Sequence, residues 1–267
     1  MPEATIRRNF TGNLFLDHLA EGAKNALKPP FVSVPLKQSE VIDDDETVPG
    51  RILFPVNSII SIVLDMANGD TAEVGIIGRE GMTGLAIVLG QPSVNRRRIV
   101  QIPGSAISIP TRDFRAAIDR EPALRSYALR YAQATLVASG RLSACNVLHA
   151  ATERCARWLL MAQDRVGDNL LLLTQEVLGQ MLGVRRESVA LAASELRAAG
   201  YISYSRGHIR IHNRTGLESA SCECYDAMNY EWKATMGYKL RVAQPAVQAL
   251  TISTLRSGGV AQAKASK

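Results

Sequence analysis

The chain has 267 residues, enough for one large or two modest domains. Hydrophobic residues make up 46% and charged residues 21%, which excludes a disordered chain and provides for packed cores. The formal charge of +6 is uneven: residues 1–150 hold 16 Lys/Arg against 15 Asp/Glu, and residues 151–267 hold 15 against 10. A basic C-terminal half favours a polyanionic partner. No stretch is long and apolar enough to span a membrane. The opening "MPEATIRRNFTGNLF" lacks an apolar signal region, so the expectation is a cytoplasmic protein with no membrane partner.

Residues 13–30 read as a helical lead-in, stopped at Pro29-Pro30 because proline lacks a donor and clashes with the preceding turn. From Phe31 to about Pro110 the period changes to two. "FVSVPL", "SIISIVLDM", "TAEVGIIG" and "RIVQIPGSAISIP" are Val/Ile-rich runs between turn residues. Asn68-Gly69 lies between two of them, and a tight hairpin needs the positive φ these residues accept. Short strands at this spacing predict a small antiparallel barrel or jelly roll. Asp43-Asp44-Asp45-Glu46 reads as a solvated acidic loop, and Gly78-Arg79-Glu80 as a charged turn between strands.

Helical patterning returns near Thr111. A long helix begins at Glu121-Pro122, where proline suits the first turn. Along it Leu124, Ala128, Tyr131, Thr135, Ala138, Leu142 and Cys145 recur at alternating steps of four and three. Such a heptad-like stripe either packs on its own domain or forms a dimer seam; its small residues favour the seam. A further helix covers about Ala150 to Val166 and ends at Gly167.

The stretch Thr174–Leu196, "TQEVLGQMLGVRRESVALAASEL", has one break, at Gly183. Thr174 is a good N-cap. Val177, Leu178, Met181 and Leu182 form one apolar face, Gly183 permits the reversal, and Val189, Ala192, Ala193 and Leu196 form the next. Arg185, Arg186, Glu187 and Ser188 open the second helix with polar groups only. This is helix-turn-helix spacing, in which the second helix enters the major groove and its first residues reach base edges. Arginine there bonds guanine in a bidentate manner, glutamate accepts from cytosine, and a serine hydroxyl suits a phosphate. The alternative is a structural helical hairpin with solvated arginines. "GYISYSRGHIRIHN" then reads as two short strands whose Arg206, His208 and Arg210 form a basic wing beside the helix pair. The C-x-C pair Cys222 and Cys224 either ligates a metal, reacts with oxidants, or sits reduced in a C-terminal helix, the last being favoured. The end of the chain, after Leu255, reads as a disordered tail.

These motifs resemble the Crp/Fnr family of bacterial transcription regulators over about Leu14 to Asn213. "LTQEVLGQMLGVRRESVALAASELRAAGYISYSRGHIRIH" resembles its winged helix-turn-helix, and "GRILFPVNSIISIVLDMANGDTAEVGIIGREGMTGLAIVLG" its cyclic-nucleotide-binding-like barrel. The resemblance implies an α+β chain: an antiparallel jelly-roll sensor barrel (13–120), a dimerisation helix (121–146), a winged helix-turn-helix (147–214) and a C-terminal helical extension with a tail (215–267). It places the family's Arg-Glu reading pair on Arg186-Glu187, its phosphate contact on Ser188, and a backbone-approaching position on Gln175. Where the cyclic-AMP receptor branch has a second arginine, this chain has Leu191, so the half-site differs.

The effector pocket of the family would fall on Gly84, Leu85, Arg96 and Arg97. Leu85 stands where cyclic-nucleotide binders carry a ribose-binding glutamate, and arginines replace the small hydroxyl beside Arg96. An unpaired ribose hydroxyl costs roughly 1–3 kcal/mol, so tight cyclic-AMP binding is not expected. Residues 1–144 contain no cysteine, so the family's N-terminal iron-sulfur cluster is absent and no cofactor is predicted. The expected partners are double-stranded DNA, a second copy of the chain, and RNA polymerase if the protein activates. An enzyme is disfavoured: "GREGMTG" lacks the end of a phosphate-binding P-loop and the four histidines are scattered. A module of the same fold that has lost DNA binding is the other alternative.

Overall fold

The computed structural model describes residues 11–28, 31–43, 49–69, 71–90 and 97–240. Pro29-Pro30, most of the acidic run, Arg96 and the C-terminal tail lie outside these residues. The lead-in is two short helices rather than one, α1 (Leu14–Asp17) and α2 (Glu21–Ala26). Asn13 divides its bonds, capping Leu16 N and donating from its amide to the carbonyls of Pro55 and Gly81.

The N-terminal domain follows with β1 (Val32–Leu36), β2 (Val41–Asp43), β3 (Arg51–Pro55), β4 (Ile59–Asp65), β5 (Thr71–Ile77), α3 (Leu85–Val88), β6 (Arg97–Ile102) and β7 (Gly104–Pro110). The strands form two antiparallel sheets, β1-β7-β3 and β2-β6-β4-β5. Side-chain alternation divides their contents. Leu36, Leu53 and Ala106 of the first sheet meet Ile60, Ile62, Ile77 and Val100 of the second. On the first sheet's other face, Ile52, Phe54, Ile107 and Ile109 join Phe15 and Phe114 of the flanking helices. Both faces of β4 are covered, which is why "IISIV" is apolar on both faces apart from Ser61. Gly69, at φ +87°, makes the turn after β4.

Helix α4 (Thr111–Arg120) leads to α5 (Pro122–Leu148), a rod about 40 Å long by helix rise. Glu121 caps it and Pro122 sits in the first turn. The rest is α6 (Ala151–Val166), β8 (Leu170–Leu172), α7 (Gln175–Leu182), α8 (Arg186–Ala198), β9 (Ile202–Ser205), β10 (His208–Ile211), α9 (Arg214–Ser219) and α10 (Cys224–Met236). Strand β8 was not foreseen; it pairs with β10 and completes a three-stranded sheet. The α+β organisation read from the sequence holds, with two facing sheets in place of one closed barrel.

The C-terminal extension packs back on the molecule. The Trp232 ring of α10 meets Tyr131 of α5 edge-on at 6.0 Å, and Arg141 of α5 pairs with Glu231. Tyr238 donates to the Glu80 carbonyl at 2.8 Å and stacks on His18.

Candidate nucleic-acid interface

Local chemistry builds the helix pair. Thr174 has extended backbone angles, and its Oγ1 accepts from Val177 N at 3.2 Å, so α7 starts there. Gly183 ends it at φ +60°, a left-handed conformation open to glycine without strain. The buried Arg154 of α6 donates to the Leu182 carbonyl at 3.0 Å and so satisfies the C-terminal end of α7. Gly179 lets the helices close, since a Cβ there would lie 3.3 Å from the Val184 carbonyl. Leu178, Met181 and Leu182 of α7 and Val189, Ala192 and Leu196 of α8 share a core with Trp158, Leu159 and Leu160 of α6.

That burial leaves the opposite side of α8 to solvent. Arg185 is the N-cap residue but makes no capping bond with its side chain. Arg185, Arg186 and Glu187 are exposed and make no ion pair with described residues; Ser188 is half-buried. Leu191 follows on the same surface at 62% exposure, a large apolar group mostly in solvent. In the wing, Arg206 (φ 44°) and Gly207 (φ +81°) form a two-residue turn with both residues left-handed, closing the Ser205–His208 pair. Arg206, His208 and Arg210 are exposed, as is Thr174; Gln175 is half-buried. The nine residues expected at DNA therefore occupy the start of α7, the start of α8 and the wing.

Of the six residues expected at a dimer seam, three are buried within the chain itself. Leu124, Ala128 and Tyr131 are buried in the chain's own core beside Phe15, and Thr135, Ala138 and Leu142 are half-buried and line an open cavity shared with α6 and α10. The first half of the stripe packs on its own molecule because α10, α4 and α3 lie against α5. The outward face of α5 carries Leu129, Leu136, Val137, Val147 and Leu148, which are 39–83% exposed.

The effector positions are dispersed. A Cβ on Gly84 would meet Ile52 Cγ2 at 2.9 Å, so glycine there serves packing. Leu85 lines the cavity, about 260 Å³, between β4, β5, α5, α6 and α10. Arg97 pairs with Asp65 at 2.7 Å, and Arg98 is buried against Asp43. Arg96 lies outside the described residues.

Sequence reasoning missed the junction of the two domains. Glu80, expected in a surface turn, is buried and pairs with Arg165 of α6 at 2.9 Å. Gly78 makes room for it, since a Cβ there would lie 2.6 Å from the Arg165 side chain, and Gly81 does the same for Tyr131. Glu73 of β5 accepts from Ser61 at 2.6 Å and from Trp158 of α6 at 3.1 Å. Burial raises its carboxyl from 4.5 to about 7, against the pull of those bonds and of Arg157 and Arg165.

A two-sheet jelly roll, a long connecting helix and a winged helix-turn-helix follow one another along the described residues. Residues 153–220 match the family model of the Crp-like helix-turn-helix domain. The chain is similar in fold to FixK2 from Bradyrhizobium japonicum, with a TM-score of 0.61 and 17% identity over 72% of this chain and 98% of that one. It is also similar to two Thermus thermophilus transcriptional regulators. One, of the CRP family, gives a TM-score of 0.57 and 15% identity over 70% of this chain and 96% of the other. The second, of the CRP/FNR family, gives 0.56 and 17% over 71% and 97%. No curated protein matches the sequence. Residues 153–220 thus carry a Crp-like helix-turn-helix domain, and the chain as a whole shares the fold of these regulators. No helix among the described residues is long and apolar enough to cross a membrane.

Proposed function

We propose that the protein is a cytoplasmic, homodimeric regulator that binds an inverted-repeat operator in double-stranded DNA. The observation that carries this reading is the open start of α8, where Arg185, Arg186 and Glu187 stand in solvent while the buried face of the same helix is fully packed. Arg186 and Glu187 read base edges, Arg185 adds a second guanidinium, and Ser188 and Gln175 approach phosphates. The basic wing follows the flanking backbone. Leu191 offers an apolar contact for a thymine methyl in place of a second arginine.

Two chains pair along α5, and we assign the seam to its outward face around Leu129, Leu136 and Val147 instead of the inward stripe. The paired recognition helices then meet half-sites one turn apart, roughly 34 Å. An effector would act from the cavity beside Leu85, by binding one arrangement of the domains better than another. Leu85 supplies no carboxylate for a ribose, so millimolar cyclic AMP should leave the melting temperature unchanged. If the protein activates, RNA polymerase is a further partner.

Selection of bound sequences from a random DNA pool, at a stated salt concentration, tests the reading. A palindromic motif is expected with the unmodified chain. Arg186→Ala should weaken binding to that motif by about 1–3 kcal/mol and relax one base position. Sequence-blind binding that Arg186→Ala leaves unchanged would favour a module that has lost specific recognition.

A further inference from the structure

The end of α5 and the start of α10 bring together four side chains that DNA recognition does not use. Cys145 is in the last turn of α5, and His149 is its C-cap residue, just before α6. Cys222 and Cys224 stand at the start of α10, more than 70 residues further along the chain. The Cys145, Cys222 and Cys224 sulfurs and one ring nitrogen of His149 all lie within 4.8 Å of one another. Cys145 Sγ is 3.5 Å from Cys222 Sγ, and Cys224 Sγ is 3.7 Å from His149 Nδ1.

These distances fit one ion. Ligands about 2.3 Å from a common tetrahedral centre lie about 3.8 Å apart, close to the two separations above. An iron-sulfur cluster would hold its ligands further apart, since several iron and sulfide atoms stand between them. Three thiolates and an imidazole are the soft and borderline donors that select zinc over magnesium or calcium.

A second observation concerns the histidine. With Nδ1 turned to the sulfurs, its Nε2 faces the Glu223 carboxylate at 3.0 Å. That carboxylate–histidine pair fixes the ring and its tautomer, as the outer partners of zinc-bound histidines do. Arg141 and Arg157 also act electrostatically on the thiols, and would offset the net negative charge of three thiolates on a divalent ion. Three of the four cysteines are in the cluster; Cys155 is buried apart, in the helix-turn-helix core.

We infer that Cys145, His149, Cys222 and Cys224 bind one zinc ion in a closed tetrahedral site that staples α10 to the junction of α5 and α6. Four protein ligands leave no open position, so the ion is structural. Binding releases the thiol protons to solvent and ties together segments that the helix-turn-helix domain separates in sequence.

The full-length chain, purified under reducing conditions without chelator, should carry one zinc per chain. Replacement by cobalt(II) should give thiolate-to-metal charge transfer in the near ultraviolet and the intense visible bands of a four-coordinate ion. Cys222→Ser and His149→Ala should each lose or shift those bands, and Cys155→Ala should keep them. Glu223→Gln should keep the bands and weaken zinc in chelator competition by about 10–100-fold. If a ligand variant does not fold, the Glu223→Gln and Cys155→Ala pair still decides the outcome. Zinc well below one per chain with no cobalt band overturns the inference. So do bands that persist without Cys222, or a Glu223→Gln chain that holds zinc as tightly as the parent.

Discussion

At the scale of single residues, the least legible group is Glu73. In the sequence it is one polar residue in an alternating strand; nothing local says that Trp158, 85 positions later, will cover it. The resulting environment has a measurable consequence. Its carboxyl titrates near 4.5 when exposed and at about 7 when folded, chiefly through burial. Between those values the folded chain holds a proton that the unfolded chain has released. Stability from this group is therefore greatest below pH 4.5, falls as pH rises towards 7, and is level above it. The loss amounts to about 3 kcal/mol. Glu73→Gln keeps an acceptor for Trp158 and carries no charge, so it should raise the melting temperature at pH 8 and flatten its decline between pH 5 and pH 7. Melting curves of both chains at the two ends of that range check this, and equal slopes would remove Glu73 from the explanation. By contrast, Thr174, Gly183 and the Arg185–Ser188 run were legible, because capping, reversal and exposure at those positions depend on neighbours within a few residues.

At the scale of elements, α5 shows how periodicity can have two solutions. Its apolar residues lie on both faces: Leu124, Ala128 and Tyr131 face the core, while Leu129, Leu136 and Val147 face solvent. A pattern search finds a stripe and cannot tell which of two stripes meets a partner, since that depends on α10, whose packing is encoded far away. The same limit applies to the cysteines, where only the C-x-C spacing was local. The two faces of α5 make separable predictions. Leu136, 74% exposed, contributes little to the folded monomer, so Leu136→Glu should shift stability by less than about 0.5 kcal/mol. In sedimentation experiments it should turn a dimer into a monomer and reduce operator affinity. Ala128→Glu, at a position with no exposure, should unfold the chain instead. A Leu136→Glu chain that remains dimeric would move the seam off this face.

At the scale of the whole molecule, the order of jelly roll, long helix and winged helix-turn-helix was legible because each segment has its own period. How the two domains grip each other was not, because the grip depends on residues that look ordinary in sequence. Gly78 and Gly81 resemble turn glycines, yet they clear space for Arg165 and Tyr131. Glu80 resembles a solvated charge, yet its side chain and that of Arg165 are 2% and 5% exposed. Met181 of α7 adds a contact with Ser61 of β4 at 3.4 Å. Such an ion pair resists removal of one partner more than removal of both. Glu80→Gln leaves Arg165 buried without its counter-charge, and should destabilise by about 3–5 kcal/mol. Arg165→Met together with Glu80→Gln removes the orphaned charge and should recover most of that loss. If the pair is also what couples the domains, the single variant should unfold in two thermal steps where the parent unfolds in one. Trp158, at the junction, reports the first step by fluorescence. A double variant no more stable than Glu80→Gln would show that the junction is held by its apolar contacts and not by the buried charges.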